Sequence, residues 1–248
     1  MKKIFKIVAA ILALALIAGI LFIANSFVGN PITSKMADKA IKEYVDKNYS
    51  SLNLNVEKAK YEFKDGSYFA MAKSKTSIDK KFPIYYRNGK VQRDEYEFYV
   101  LGMFNTMERF SAEYSAEAKK IIAEKLGYAA NTTRVDFDKS EYDNIKDKLK
   151  LDMKFDKTLP LKAEVSIRLE LKDNSPETMA KIFIDANEAF KDSGCNFTTY
   201  GLYSQKKNAY VMVDKVTVKD IEGGNLVTLL KEAEKNRSGA GISVLIKN

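Results

Sequence analysis

The chain has 248 residues, 46% of them hydrophobic and 30% charged, and a net charge of +8 from 41 Lys and Arg against 33 Asp and Glu. That composition is globular, not disordered, and long enough for one large or two small domains; the acids interspersed with the bases argue against a nucleic-acid partner. The absence of histidine and the single cysteine, Cys195, remove the commonest general base, the Ser-His and Cys-His dyads, most zinc sites and any intrachain disulfide.

The first element is the run Ile7 to Ala24, which carries no charge and no side chain that must hydrogen-bond. As a helix it is roughly 27 Å long, and residues 7–28 reach roughly 33 Å, against a hydrocarbon core of about 30 Å. Pro31 follows where a stop is expected. A secretory signal peptide also opens on basic residues, here Lys2, Lys3 and Lys6, but its apolar region is shorter, about 7–15 residues. An uncleaved single-pass anchor over residues 7–28 is therefore favoured; secretion after cleavage near Ser26 is the alternative. Lys35, Lys39 and Lys42 weaken the charge asymmetry across the span, yet the compact basic start points the N-terminus inward and the C-terminal domain to the extracytoplasmic side.

Pro31 to Tyr49 predicts a helix. Strand-like pieces follow at Val56 to Phe63 and Tyr68 to Ala72, joined by the Asp65-Gly66 turn, and at Phe82 to Tyr86, closed by Asn88-Gly89. A long helix is expected from about Asp94, as cap, to Leu126, with Gly102 and Asn105-Thr106 as places where it can bend or split. Period-two alternation then predicts strands at Leu149 to Phe155 and Leu161 to Leu171. Ser175-Pro176 opens a helix that Gly194 ends. Further strands are expected at Asn196–Ser204 and Ala209–Val218, then a helix with Leu226, Leu229 and Leu230 inward, a turn at Gly239 to Gly241, and a last strand at Ile242 to Ile246. The fold class is α+β: an anchor at 1–28, a first domain at 29–128 (helix, β-meander, long helix) and a second at 129–248. Each half is an antiparallel sheet with helices on one face, the second in the β-α-β-β-α-β order of a ferredoxin-like, split-βαβ fold.

Two groups stand out as candidate contacts. Lys73, Lys75, Lys80 and Lys81 crowd one connection and suit an anionic lipid or cell-wall polymer, or only a solvated loop. Asn105, Arg109 and Glu113 share a helical face, with Thr106 beside them, and suit either the grip on a ligand or partner or a solvated or inter-domain face. No G-x-S-x-G, P-loop or G-x-G-x-x-G occurs, so no catalytic, cofactor-binding or metal-binding residue is assigned. Asp136 and Asp138 are too short a pair for a cation site. Cys195 lacks an activating base and reads as a half-buried small residue.

Four stretches, GNPIT (29–33), YEFKDGSYFA (61–70), NTMERF (105–110) and VKDIEGGNL (218–226), carry a resemblance to the YfjL-like proteins of Gram-positive bacteria, which are small and singly anchored. The third matches an Asn-Thr-x-x-Arg pattern at Asn105, Thr106 and Arg109, and the likeness runs from Gly29 to about Arg237. It implies an anchor and two α/β halves and carries no activity over. Two functions fit these readings. The first is a membrane-anchored extracytoplasmic binding or protein-interaction module without a catalytic centre. The second is an extracytoplasmic hydrolase that uses carboxylates alone on an envelope polymer. Converging acids of raised pKa in a deep pocket would favour the hydrolase.

Overall fold

The computed structural model describes residues 2–138, 148–206, 209–236 and 241–247. They form two compact units, Met1–Asn105 and Thr106–Asn248. The turn expected at Gly239 and Ala240, and Arg237 at the end of the resemblance, fall outside the described residues.

The first unit opens with α1 (Lys2–Val28), whose stretch Lys3–Asn25 is long and apolar enough to cross a membrane and is wholly unburied by protein. A signal sequence has the same character. Gly29 closes the helix in the left-handed region (φ +74°), its N–H donating to Asn25 O at 2.9 Å. Asn30 then caps α2 (Pro31–Asn48), its Oδ1 accepting from Ile32 N at 2.8 Å, with Pro31 in the first helical turn. α2 buries Ala37, Ile41 and Val45 against the sheet, and burying a side chain such as Ile41 contributes about 1.5–3 kcal/mol.

The sheet holds β1 (Leu54–Val56), β2 (Lys60–Glu62), β3 (Ser67–Ser74), β4 (Lys81–Arg87) and β5 (Lys90–Asp94), all antiparallel in the order β1-β3-β4-β5, with β2 also pairing β3. The expected single strand from Val56 to Phe63 is thus two short ones. The break between them is fixed by Ala59, whose N–H donates to Asp38 Oδ1 at 2.6 Å. Asp65-Gly66 and Asn88-Gly89 form the turns, with Asn88 and Gly89 both at positive φ as a two-residue hairpin needs. Tyr68, Ala70, Ala72, Phe82, Ile84 and Tyr86 make the buried face.

The long helix expected from Asp94 is split at Gly102, one of the places where it could divide, and Asp94 is not its cap. Asp94 ends β5 instead, and its carboxylate accepts from Tyr44 Oη at 2.5 Å and Tyr96 N at 2.9 Å. A π-helical turn (Glu97–Leu101) follows, with Gly102 N donating to Glu97 O and Met103 in the left-handed region. Only then does α3 (Phe104–Leu126) begin.

The boundary between units falls at Asn105/Thr106, not at residue 128. The reason is packing. Phe110, Tyr114, Ala118 and Ile122 of α3 are buried, Tyr114 and Phe110 against Phe155, and Tyr114 against Phe197. Ser115 Oγ accepts from Val135 N at 2.8 Å, tying α3 to the second sheet.

That sheet holds β6 (Arg134–Phe137), β7 (Ala163–Arg168), β8 (Thr199–Lys206), β9 (Ala209–Thr217) and β10 (Ser243–Lys247), in the order β10-β9-β8-β7-β6. Its helices are α3, α4 (Pro176–Asp192), α5 (Val218–Glu222) and α6 (Leu226–Lys235). The α+β class and the β-α-β-β-α-β order along the chain are as expected. The order in space is not split: β7 and β8 pair directly, in parallel, so the sheet is mixed. Leu149 to Phe155 is not a strand. Its alternation is interrupted by Asp152 at φ +62°, and Met153 N turns back onto Lys150 O. Val135, Phe137, Val165, Ile167, Tyr200, Leu202, Val213 and Val244 make the face under the helices. Ser175 caps α4, its hydroxyl accepting from Thr178 N, and Tyr200 Oη donates to Asn187 Oδ1 of α4 at 2.9 Å.

Candidate functional site

The lysine group lies on and beside the β3–β4 connection. Lys73 lies in β3 directly opposite Lys81 of β4, and Glu57 neutralises it at 2.5 Å, its carboxyl held below the usual range by that hydrogen bond. Lys75 and Lys80 sit in the connecting loop, 75 exposed and 80 half-buried. Asn105 is what fixes this loop. Its buried Nδ2 donates to Asp79 O at 2.8 Å and to Lys81 O at 2.7 Å.

Asn105 belongs to the first unit, and Thr106 and Arg109 to the second. Asn105 faces the β3–β4 loop. Thr106 is fully buried. In the second unit Arg109 donates to Glu113 Oε1 at 2.9 Å and to Met153 O at 2.7 Å, which holds the 149–155 segment in place.

Cys195 is buried beside Glu117, whose Oε1 lies 3.9 Å from the thiol and 2.6 Å from Lys157 Nζ. Burial, and then the Glu117 charge, push the thiol pKa up. A thiol so placed stays protonated and is a poor nucleophile. Nearby, Tyr114, Phe137, Phe155 and Phe197 wall a small pocket of about 250 Å³. Asp136 pairs with Arg134 at 2.7 Å. Among the described residues no group of three or more acids or cysteines is gathered as a metal site would need.

The most site-like surface of the second unit is the face of its sheet opposite the helices. Register places Glu164, Ser166 and Arg168 of β7, Thr199, Gly201, Tyr203 and Gln205 of β8, and Tyr210, Met212 and Asp214 of β9 on it. A β-bulge interrupts the pairing between Tyr200 and Leu202, and on the facing strand Lys215 takes φ +63°. Bulges and left-handed non-glycine residues re-aim side chains and concentrate at functional sites. Gly201 makes the arrangement fit: a Cβ there would lie 3.1 Å from Tyr203 Cε2 and 3.2 Å from Asp214 Oδ1.

Tyr203 is the centre of this face. Its hydroxyl donates to Asp214, the Arg168 guanidinium stands 5.1 Å from its ring centroid, and burial together with Asp214 pushes its pKa up to about 12. Two depressions flank it. One, of about 470 Å³, includes Arg168, Glu170, Gln205 and Tyr210. The other, of about 290 Å³, includes Glu164, Ser166, Thr199, Asp214 and Lys215. Thr199 Oγ1 is buried without a hydrogen-bond partner at that second wall. None of these residues is among the candidates read from sequence. The available signal was Gly201, a glycine inside a strand pattern.

Residues 2–106 match the family model described as the YfjL-like N-terminal domain, and residues 113–231 match the YfjL-like C-terminal domain. The N-terminal match ends one residue past the division between the structural units, and the C-terminal match lies wholly within the second unit. No curated protein and no solved structure matches the chain.

Proposed function

The chain belongs to the YfjL-like family, and from that premise we propose that it is a membrane-anchored extracytoplasmic protein-interaction module without a catalytic centre, whose partner docks on the open face of the C-terminal sheet. The observation that carries this reading is the Gly201–Lys215 bulge with Tyr203, Arg168 and Asp214 set around it, on a face that, among the described residues, no helix of its own unit covers. The basic start of α1, at Lys2, Lys3 and Lys6, supports the outward address.

The chemistry of the face favours protein over polymer. An anionic wall polymer or lipid calls for one sign of charge, and here Glu164, Glu170 and Asp214 alternate with Arg168 and Lys215. A sugar chain calls for a free aromatic platform, and the Tyr203 ring is already engaged by Arg168 and lies across Gly201. The carboxylates speak against the hydrolase reading. Among the described residues the carboxylates that depart from the usual range, Glu57, Asp65, Asp156, Asp173, Glu177 and Glu222, are all lowered, each chiefly by a hydrogen bond to the charged form. A general acid working near neutral pH needs the opposite shift.

The test is site-specific photo-crosslinking of the full-length protein in intact cells. A photoreactive residue replacing Gln205 or Lys215 should give one shared adduct, absent when it replaces Lys181 on α4 and lost with Arg168→Glu. No adduct from either face position, or the same pattern from Lys181, contradicts the docking face. Cleavage of an envelope polymer by the pure protein, abolished by a single Asp or Glu substitution, contradicts the non-catalytic assignment.

A further inference from the structure

We propose that the anchor-side end of the N-terminal unit is a second membrane contact, in which Phe63 and Ile32 enter the headgroup boundary beside Phe27 while Lys64, Arg87 and Lys90 face anionic headgroups, so that the unit is held at a fixed attitude on the bilayer its own anchor crosses. The proposal rests on the anchored reading above.

The end of the unit nearest the anchor is identified by hydrogen bonds. Tyr68, near the start of β3, accepts from Asn30 N at 2.5 Å and donates to Asn30 O at 3.1 Å. The Tyr61 and Tyr68 rings pack at a tilt with centroids 5.1 Å apart, and a Cβ on Gly29 would lie 2.6 Å from Tyr61 Cγ. The junction is therefore a lock, not a tether: the two residues after α1 are gripped from the sheet. Tyr68 pairs with Tyr86, so the β2–β3 turn (Phe63 to Gly66) and the β4–β5 turn (Arg87 to Lys90) project from this same end. Asp65 on the first turn feels the charge of Arg87 on the second.

The apolar side chains left bare here fit a bilayer. If Ile7–Ala24 fills about 27 Å of the hydrocarbon, Phe27 stands roughly 4.5 Å further along, at headgroup level. Its ring lies 6.3 Å from that of Phe63, and Phe63 and Ile32 are 55% and 70% exposed. Exposed aromatic rings beside a span, flanked by bases, are the pattern of an interfacial belt. The lysine group read from sequence is at the other end. Lys73 is five residues along β3 from Tyr68, and Ser74 six, so the loop begins roughly 20 Å away. A screening length of about 8–10 Å places it beyond the reach of headgroups at the anchored end.

The protein has no tryptophan, so Phe63→Trp introduces a single reporter. The full-length variant is reconstituted into vesicles of phosphatidylcholine and phosphatidylglycerol with or without bromine on the acyl chains. Flotation comes first, and protein that does not float overturns the anchored reading and the contact with it. In floated protein, Phe63→Trp should emit blue-shifted and lose about half of its emission to acyl bromine, as for a ring within ~10 Å of the acyl boundary. Ile78→Trp, in the β3–β4 loop, should be unaffected. Adding Tyr68→Phe, which keeps the ring and removes both bonds to Asn30, should weaken the quenching. Floated protein in which Phe63→Trp is no more quenched than Ile78→Trp overturns the contact face and leaves the anchor standing.

Discussion

Asn105 shows how a polar residue with a site-like setting can be structural. Its amide donates to two backbone carbonyls of the β3–β4 loop, so Asn105→Ala removes two hydrogen bonds and should cost about 1–3 kcal/mol. The expected readout is a lower melting temperature with faster hydrogen exchange around Lys80 and Lys81; an unchanged exchange rate there would contradict the role. Cys195 is the second case. A buried thiol with a raised pKa should not react with a thiol reagent at pH 8 in the folded protein and should give one equivalent after denaturation. Reaction at the rate of a free thiol would contradict the assignment. Cys195 was legible because an all-or-none count, one cysteine and no histidine, settles what a thiol can do. Tyr203, Arg168 and Asp214 were not, because their meeting depends on the bulge at Gly201, and neither strand alone contains it.

At the level of elements, alternation was reliable where a neighbouring strand existed to receive it. Ala163, Val165 and Ile167 point into the core as their spacing predicts. Ile167→Asp buries an unpaired charge and should cost several kcal/mol (~3 or more). A variant that melts like the parent would place Ile167 on the wrong face. The same pattern at Leu149 to Phe155 failed, because a period of two needs a ladder and Arg109 holds this segment as an irregular loop. Helix starts were legible where the cap chemistry is local, at Asn30-Pro31 and Ser175-Pro176. Ser175→Ala should cost about 1 kcal/mol. The start near Asp94 misled because a capping-box spacing is also met by an aspartate that ends a strand and accepts from Tyr44.

For the whole molecule, composition made the N-terminal apolar helix of membrane-crossing length and the α+β class legible, since both follow from runs and periods within the chain. The parallel pairing of β7 with β8 was not, because the chain order β-α-β-β-α-β fits a split and an unsplit sheet equally. Titration gives a test of the folded whole. Burial, as the leading cause, raises Tyr44 and Tyr203 from 10.0 to about 12. A raised pKa contributes stability that is full below the unfolded value and lost as pH rises through the folded one, so denaturant stability should fall between about pH 10 and 12. Tyr203→Phe should flatten part of that slope; a stability rising over this range would carry the wrong sign.

The central claim, a tethered module that presents its C-terminal sheet outside the cell, is tested most directly by labelling. Cys195 is 1% exposed and silent, so Gln205→Cys supplies the one reactive thiol on the docking face. Intact cells are treated with a membrane-impermeant maleimide and fractionated. The account predicts label before permeabilisation, on a full-length species that sediments with membranes and retains the residues before Phe27. Label only after permeabilisation, or on a shortened species released to the medium, would contradict it.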